Sequence, residues 1–261
     1  GYQAGVLTGK PLSYWGSLAR TEATGYGLVY FVQHLLQDQG DSLEVKNVLV
    51  SGSGNVAIYA IQKAQALGAT VYGCSDSSGS IIDPDGIDLS IVKELKEANR
   101  ERISKYVESR PNATFYEGAN IWDLDVSYDI ALPCATQNEI SPVTAEKMIA
   151  NGVKVVAEGA NMPTTLEALD VLNENNVVYC PGKASNAGGV AVSALEMAQN
   201  SQRQPWTFEK VDNELNSIMK NIYETSRDTS REYVGKVDLV AGANIAGFAR
   251  VAEAMLSQGL V

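Results

Sequence analysis

The stretch Val48-Leu49-Val50-Ser51-Gly52-Ser53-Gly54-Asn55-Val56-Ala57 constrains this chain more than any other. Its apolar start reads as a buried strand. Two glycines follow, and then Val56, Tyr59, Ala60, Ala64 and Leu67 recur at helical spacing. The residues at 52–57 fit G-x-G-x-x-A between a strand and a helix, which is the context this motif requires. Each position has its own physical reason. Gly52 permits a tight turn, Gly54 lets pyrophosphate approach the backbone, and the small Ala57 lets the helix lie close to the strand. The helix start then offers free amides and a positive dipole end to phosphates. The turn points to a dinucleotide. A structural β-turn-α of another α/β fold, such as a methyltransferase-like sheet, is the alternative on these residues alone.

The neighbouring segments extend the pattern. Strands are expected over residues 48–50, 70–74, 130–132, 153–157 and 177–179. Helices are expected over 56–67, 89–108 (long and charged), 144–151 and 164–175. Such alternation predicts an α/β fold with a doubly wound, mostly parallel, Rossmann-like sheet. A helix over 21–39 precedes the first strand. After residue 188 everything reads helical, over 190–201, 208–233 and 245–257. No linker divides the chain, so residues 1–261 are expected to form one dinucleotide-binding domain. Its C-terminal helices, from about residue 205, are expected either to cover the sheet or to lean on something outside the chain.

Composition excludes several classes. The 261 residues are 45% hydrophobic and 20% charged, ordinary for a globular protein with a sizeable core. A net charge of −11 makes nucleic acid and anionic membrane poor partners. No unbroken apolar run reaches the roughly 18 residues of a transmembrane helix, and no secretory signal leads the chain. Cys74, Cys134 and Cys180 are widely spaced, and each follows an apolar run, so buried, reduced thiols of a cytoplasmic protein are expected. With His34 the only histidine, neither a zinc site nor a Ser-His-Asp triad is expected. The first residues, Gly1-Tyr2-Gln3, include no Met, which fits either processing or a piece of a longer chain.

In parallel sheets, ligands bind beyond the carboxyl ends of the strands. Three strands here end in short amides and hydroxyls: Thr136, Gln137 and Asn138; then Gly159 and Asn161; then Lys183, Ser185 and Asn186. Each cluster alone reads equally as a turn or a cap. Three on the edge that carries the glycine turn read as a site. The second strand should select the cofactor. An acidic residue about 20 positions beyond the glycines holds the ribose 2′-OH of NAD, and Asp76 stands there. It is surrounded by Ser75, Ser77 and Ser78, which can donate to a phosphate. Lys96, Arg100 and Arg102 follow, though on spacing alone they read as a solvated helix face. The simple rule gives NAD, and the surroundings allow NADP. No segment offers an acid or base beside a basic substrate clamp, although a dehydrogenase needs a proton carrier.

Seven segments in order, TGKPLSYWGSLARTEATGYG (8–27), VSGSGNVA (50–57), SDSSG (75–79), DIALPCATQNE (129–139), VAEGANMPTT (156–165), GKASNAGGVAVSALEMAQN (182–200) and VAGANIAGF (240–248), resemble the coenzyme-binding half of bacterial hexameric glutamate dehydrogenases, of the NADP-linked type. Leucine and phenylalanine dehydrogenases are resembled less. The resemblance implies reversible oxidative deamination of L-glutamate to 2-oxoglutarate and ammonium with NADP. It also implies a homo-hexamer, and catalytic residues carried on a separate N-terminal domain, with none on this chain. By the same resemblance Thr24, Gly52, Gly54, Asn55, Ser75, Asp76, Ser77, Thr136, Gln137, Gly159, Asn161 and Asn186 would contact the cofactor. Val190 and Ser193 would contribute to the glutamate pocket. On residues alone, Ser193 reads instead as a helix serine bonded back to a carbonyl. A non-catalytic nucleotide-sensing module would need the glycine turn but neither Ser193 nor the residues at 186–190.

Overall fold

The computed structural model describes residues 3–259. Seven strands form one sheet: β1 (Asn47–Ser51), β2 (Thr70–Asp76), β3 (Gly79–Ile82), β4 (Thr114–Glu117), β5 (Ile130–Pro133), β6 (Val155–Ala157) and β7 (Val178–Cys180). Their order is β4-β3-β2-β1-β5-β6-β7. Strands β2, β1, β5, β6 and β7 run parallel, while β3 and β4 add an antiparallel edge. The chain moves from β1 outward to β2 and later returns to β5 on the other side of β1. The order therefore reverses between β1 and β5, and in this fold class ligands bind at that switch point.

The central strands are buried on both faces, so they read as continuous apolar runs. Val48 and Val50 join the core beneath helices α1 (Ala23–Asp38) and α2 (Asn55–Ala66), while Leu49 joins the core of the opposite face. Helices α4 (Pro142–Ala150) and α5 (Leu166–Glu174) cover that second face with Ala145, Met148, Ala168 and Leu172. Ser141 and Thr165 cap these two helices through the amides of Thr144 and Ala168. α1 and α2 pack at Gly25, where a Cβ would stand 2.5 Å from the Ala60 amide nitrogen.

The expected helix over 89–108 does not form as one piece. Helix α3 (Leu89–Lys93) runs into a wide turn over Glu94–Ala98, the chain reverses at Arg100 (φ 55°), and a 3-10 turn follows at Ile103–Glu108. The reversal is held by the Glu101 amide donating to the Leu95 carbonyl (2.7 Å) and the Ile103 amide donating to Asp76 (3.1 Å). It lets Ile103 and Tyr106 bury fully. Burying two such side chains contributes roughly 1.5–3 kcal/mol each, more than an uninterrupted charged helix would offer. The sequence pattern also does not predict strands β3 and β4. Each spans four residues, too short for alternation to show.

After the short α6 (Gly182–Ser185) come α7 (Gly188–Gln202), α8 (Phe208–Val234) and α9 (Leu239–Gln258). α9 starts six residues earlier than the expected helix over 245–257. It crosses α8 at Gly242, where a Cβ would stand 1.8 Å from the Ser226 carbonyl oxygen. An 18-residue stretch of α9 has a mean hydropathy of 1.3, so by length and composition it could cross a membrane. Asn244 and Arg250 interrupt it, so it contains no unbroken apolar run of that length.

Candidate functional site

The glycine turn leaves β1 with Gly52 at φ +87°, a conformation that favours glycine. A Cβ on Gly52 would come within 3.2 Å of the Cys134 carbonyl, so the turn sits tightly against the loop that leaves β5. Gly54 has open space around it. Asn55 opens α2, and its side-chain amide donates to the Thr21 carbonyl (2.7 Å), tying the turn to the approach of α1.

Two clefts flank this turn, and Ala135 lines both. The smaller, about 350 Å³, is bounded by Ser75, Asp76 and Ser77 at the end of β2 and by Thr136 and Glu139 beyond β5. The larger, about 680 Å³, brings together Thr24, Gly159, Asn161, Asn186, Val190 and Ser193. The three polar clusters at strand ends thus contribute unequally. Asn186 faces the larger cleft, its amide donating to Asn161 Oδ1 (2.9 Å). Ser185 is buried and donates to the Glu158 carbonyl (2.7 Å), which is a structural bond. Lys183 reaches α9 instead and donates to Asn244 (2.5 Å). Gln137 is exposed and lines neither of these two clefts. Small residues keep the larger cleft open: a Cβ on Gly189 would stand 2.5 Å from the Thr24 hydroxyl.

Asp76 is occupied within the chain. Its Oδ1 accepts from the Ser78 amide (2.8 Å) and hydroxyl (2.5 Å), and its Oδ2 accepts from Lys96 (3.1 Å) and the Ile103 amide (3.1 Å). Burial pushes its carboxyl up, but these donors together hold it below the ordinary carboxylate range. Its charge is therefore permanent near neutrality and is neutralised by Lys96. Arg102 donates to the Ser77 hydroxyl at the rim of the same cleft. The break after Ala98 brings Arg102 back toward the end of β2 beside Lys96, which a solvated helix face would not do.

Arg20 is the residue that sequence reasoning missed. Its Nε donates to the Ser193 hydroxyl (2.9 Å), and both side chains line the larger cleft. A guanidinium beside a hydroxyl is a carboxylate-binding pair. The partners lie 173 positions apart, so no local pattern links them. The Ser193 hydroxyl is thus aimed at the cleft rather than bonded back along its helix.

The strand order, the glycine turn and the clefts beside the switch point define the doubly wound, Rossmann-type class. The model of the Glutamate/Leucine/Phenylalanine/Valine dehydrogenase family matches residues 16–259, and the chain belongs to that family. It is 52% identical over 259 residues to the NAD(P)-specific glutamate dehydrogenase of Xylanibacter ruminicola, covering 98% of this chain and 58% of that protein. It is also 52% identical to the NADP-specific glutamate dehydrogenase of Haemophilus influenzae, with 98% and 57% covered. A solved structure of Plasmodium falciparum glutamate dehydrogenase 2 superposes with a TM-score of 0.96 at 49% identity, over 99% of this chain and 57% of that one. The chain thus spans somewhat more than half the length of these relatives.

Proposed function

We propose that this chain is the coenzyme-binding domain of an NADP-linked glutamate dehydrogenase, acting in the cytoplasm on L-glutamate and 2-oxoglutarate as part of a homo-hexamer. The engagement of Asp76 carries the cofactor assignment. A carboxylate that already accepts four hydrogen bonds has little left for a ribose 2′-OH. Beside it, Ser77 and Arg102 offer donors to a 2′-phosphate. NAD-linked relatives are expected to present a free carboxylate at this place.

The residues present fit a dinucleotide. The open space at Gly54 admits a pyrophosphate that a larger residue would block. Gly52, Gly54 and Asn55 would hold the phosphates, with Ser75, Ser77 and Thr136 around the adenosine side. Thr24, Gly159, Asn161 and Asn186 would frame the nicotinamide, with Gln137 at the rim. When bound, the cofactor supplies the hydride acceptor. Arg20, Ser193 and Val190 would orient the glutamate side chain, with Arg20 and Ser193 donating to its carboxylate. The resemblance assigns the proton carrier to the part of the relatives that this chain does not span. The chain alone is therefore expected to bind cofactor without turning substrate over.

Calorimetric titration with NADPH and NADH under identical salt tests this. NADPH should bind more tightly. Arg102→Ala should weaken NADPH about tenfold, the worth of one charge-assisted hydrogen bond, and leave NADH unchanged. Tighter NADH binding would mean that Asp76 turns outward to a ribose hydroxyl, and would overturn the NADP assignment.

A further inference from the structure

Glu139 lies at the floor of the smaller cleft, half-buried, one hydroxyl away from the glycine turn. Its Oε1 accepts from the Ser51 hydroxyl (2.6 Å), and the same Ser51 oxygen accepts from the Cys134 amide (2.9 Å). Ser51 ends β1 and directly precedes Gly52. The Glu139 carbonyl is pinned in turn by the Asn120 side-chain amide (3.0 Å). The carboxyl therefore joins the exit of β1 to the loop beyond β5, across the switch point.

We propose that Glu139 is a positioning residue for the phosphate-binding turn, and that its carboxyl is protonated whenever an anionic dinucleotide is bound, so that binding takes up a proton. This rests on the dinucleotide reading above. The groups facing the carboxyl are the Ser51 hydroxyl from β1, the Trp122 indole from the turn at Ile121–Asp123, the Ala135 amide and Cys134 thiol from its own loop, and Glu158 from beyond β6. Asp76 shares the cleft wall from the end of β2. Among the described residues, no Lys or Arg forms an ion pair with the carboxyl; across the same cleft Lys96 is paired with Asp76 and Arg102 bonds the Ser77 hydroxyl. Burial pushes it up to about 7, against the bond from Ser51, and the negative charge of Glu158 adds to the rise. Asp76, held below the ordinary range, stays ionised through this interval, and the Cys134 thiol, pushed well up by burial, stays neutral.

A pyrophosphate on the turn places further negative charge near a carboxylate that has no ion pair. The complex is relieved when the carboxyl takes a proton. Below pH 7 that proton is already present, and the full affinity is available. Above pH 7 the proton must be drawn from solution, and affinity falls with pH.

The experiment is calorimetric titration of this chain with NADH, whose phosphates stay ionised over the range, at pH 6, 7 and 8. Each titration is run in two buffers of different ionisation enthalpy. The dissociation constant should rise about tenfold from pH 6 to 8, as one linked proton requires, with proton uptake above pH 7. Glu139→Gln, a fixed neutral isostere, should bind at every pH as the wild type does at pH 6, without uptake. Binding that is flat with pH, or a Glu139→Gln protein that keeps the wild-type slope, overturns this inference alone. No binding at any pH overturns the dinucleotide reading as well. Should Glu139→Gln fail to fold, His34→Gln decides. His34 is the sole histidine, bonds Asn216 of α8 and does not line the smaller cleft. Uptake that persists without it supports Glu139, and uptake that vanishes with it overturns the proposal.

Discussion

Helix α1 spans sixteen residues and buries eleven of them, while the twenty-residue α9 buries only Leu239 and Gly242. Both are rich in apolar side chains. Phe31 of α1 is fully buried and meets the Tyr223 ring edge-on at 5.5 Å. Phe248 of α9 is 70% exposed, Val251 57% and Leu256 84%. The difference is one of neighbours. α1 is enclosed by α2, α7, α8 and the sheet, whereas α9 packs along α8 as far as Arg250 on one side and leaves its other side open. An apolar face on that scale marks a contact surface. We propose that the part of the relatives that this chain does not span covers it.

The comparison is sharpest at glycine. Gly25→Val should displace α2, because a Cβ there already overlaps the Ala60 backbone; loss of more than about 4 kcal/mol or failure to fold is expected, seen by urea unfolding. Gly247→Val in α9 meets nothing within 4 Å, and a change within about 0.5 kcal/mol is expected. Phenylalanine repeats the contrast more gently: Phe31→Ala should cost about 3–5 kcal/mol, and Phe248→Ala almost nothing. Equal losses at paired positions would show that α9 is packed after all.

Amide exchange separates the helices without mutation. Amides of α1 should exchange only by global unfolding, and those of α9 beyond Asn244 should exchange orders of magnitude faster. Exchange as slow in α9 as in β1 would contradict an uncovered helix.

The smallest effect concerns pH. Asp83 is fully buried, accepting from Arg110 (2.8 Å) and from the Tyr106 hydroxyl (2.7 Å). Burial raises its carboxyl, but these donors and the Asp85 amide hold it below the ordinary range, as Asp76 is held. The folded-state values are depressed, so this stability is present above the unfolded value of about 3.9 and is lost as pH falls through the folded value. Unfolding followed from pH 6 to 3 should show that loss, equally in a chain that ends at residue 244. A steeper loss in the full chain would place an acid-sensitive contact in α9.

Local chemistry made much of this molecule legible. The glycine turn, α2, the five parallel strands and both capped helices α4 and α5 follow from periodicity and from Gly, Ser and Thr at fixed offsets, all of which act within a few residues. The gathering of Thr24, Asn161, Asn186 and Ser193 in one cleft followed from strand ends sharing an edge, together with the family resemblance. Other features depend on partners far along the chain. The break after Ala98 depends on Asp76 drawing in Lys96 and the Ile103 amide. Arg20 gains its place only from Ser193. Glu139 draws its character from burial and from Ser51, 88 positions away, which no local window contains.

What the sequence determined alone was the alternation of strand and helix and the turn where phosphates can sit, because backbone geometry and helix ends are set by adjacent residues. Only the tertiary structure decided that Asp76 and Asp83 are paired with cations while Glu139 is not. It also decided which apolar helix is enclosed and which is left open. Charge compensation and burial are properties of neighbours in space, and the fold chooses those neighbours.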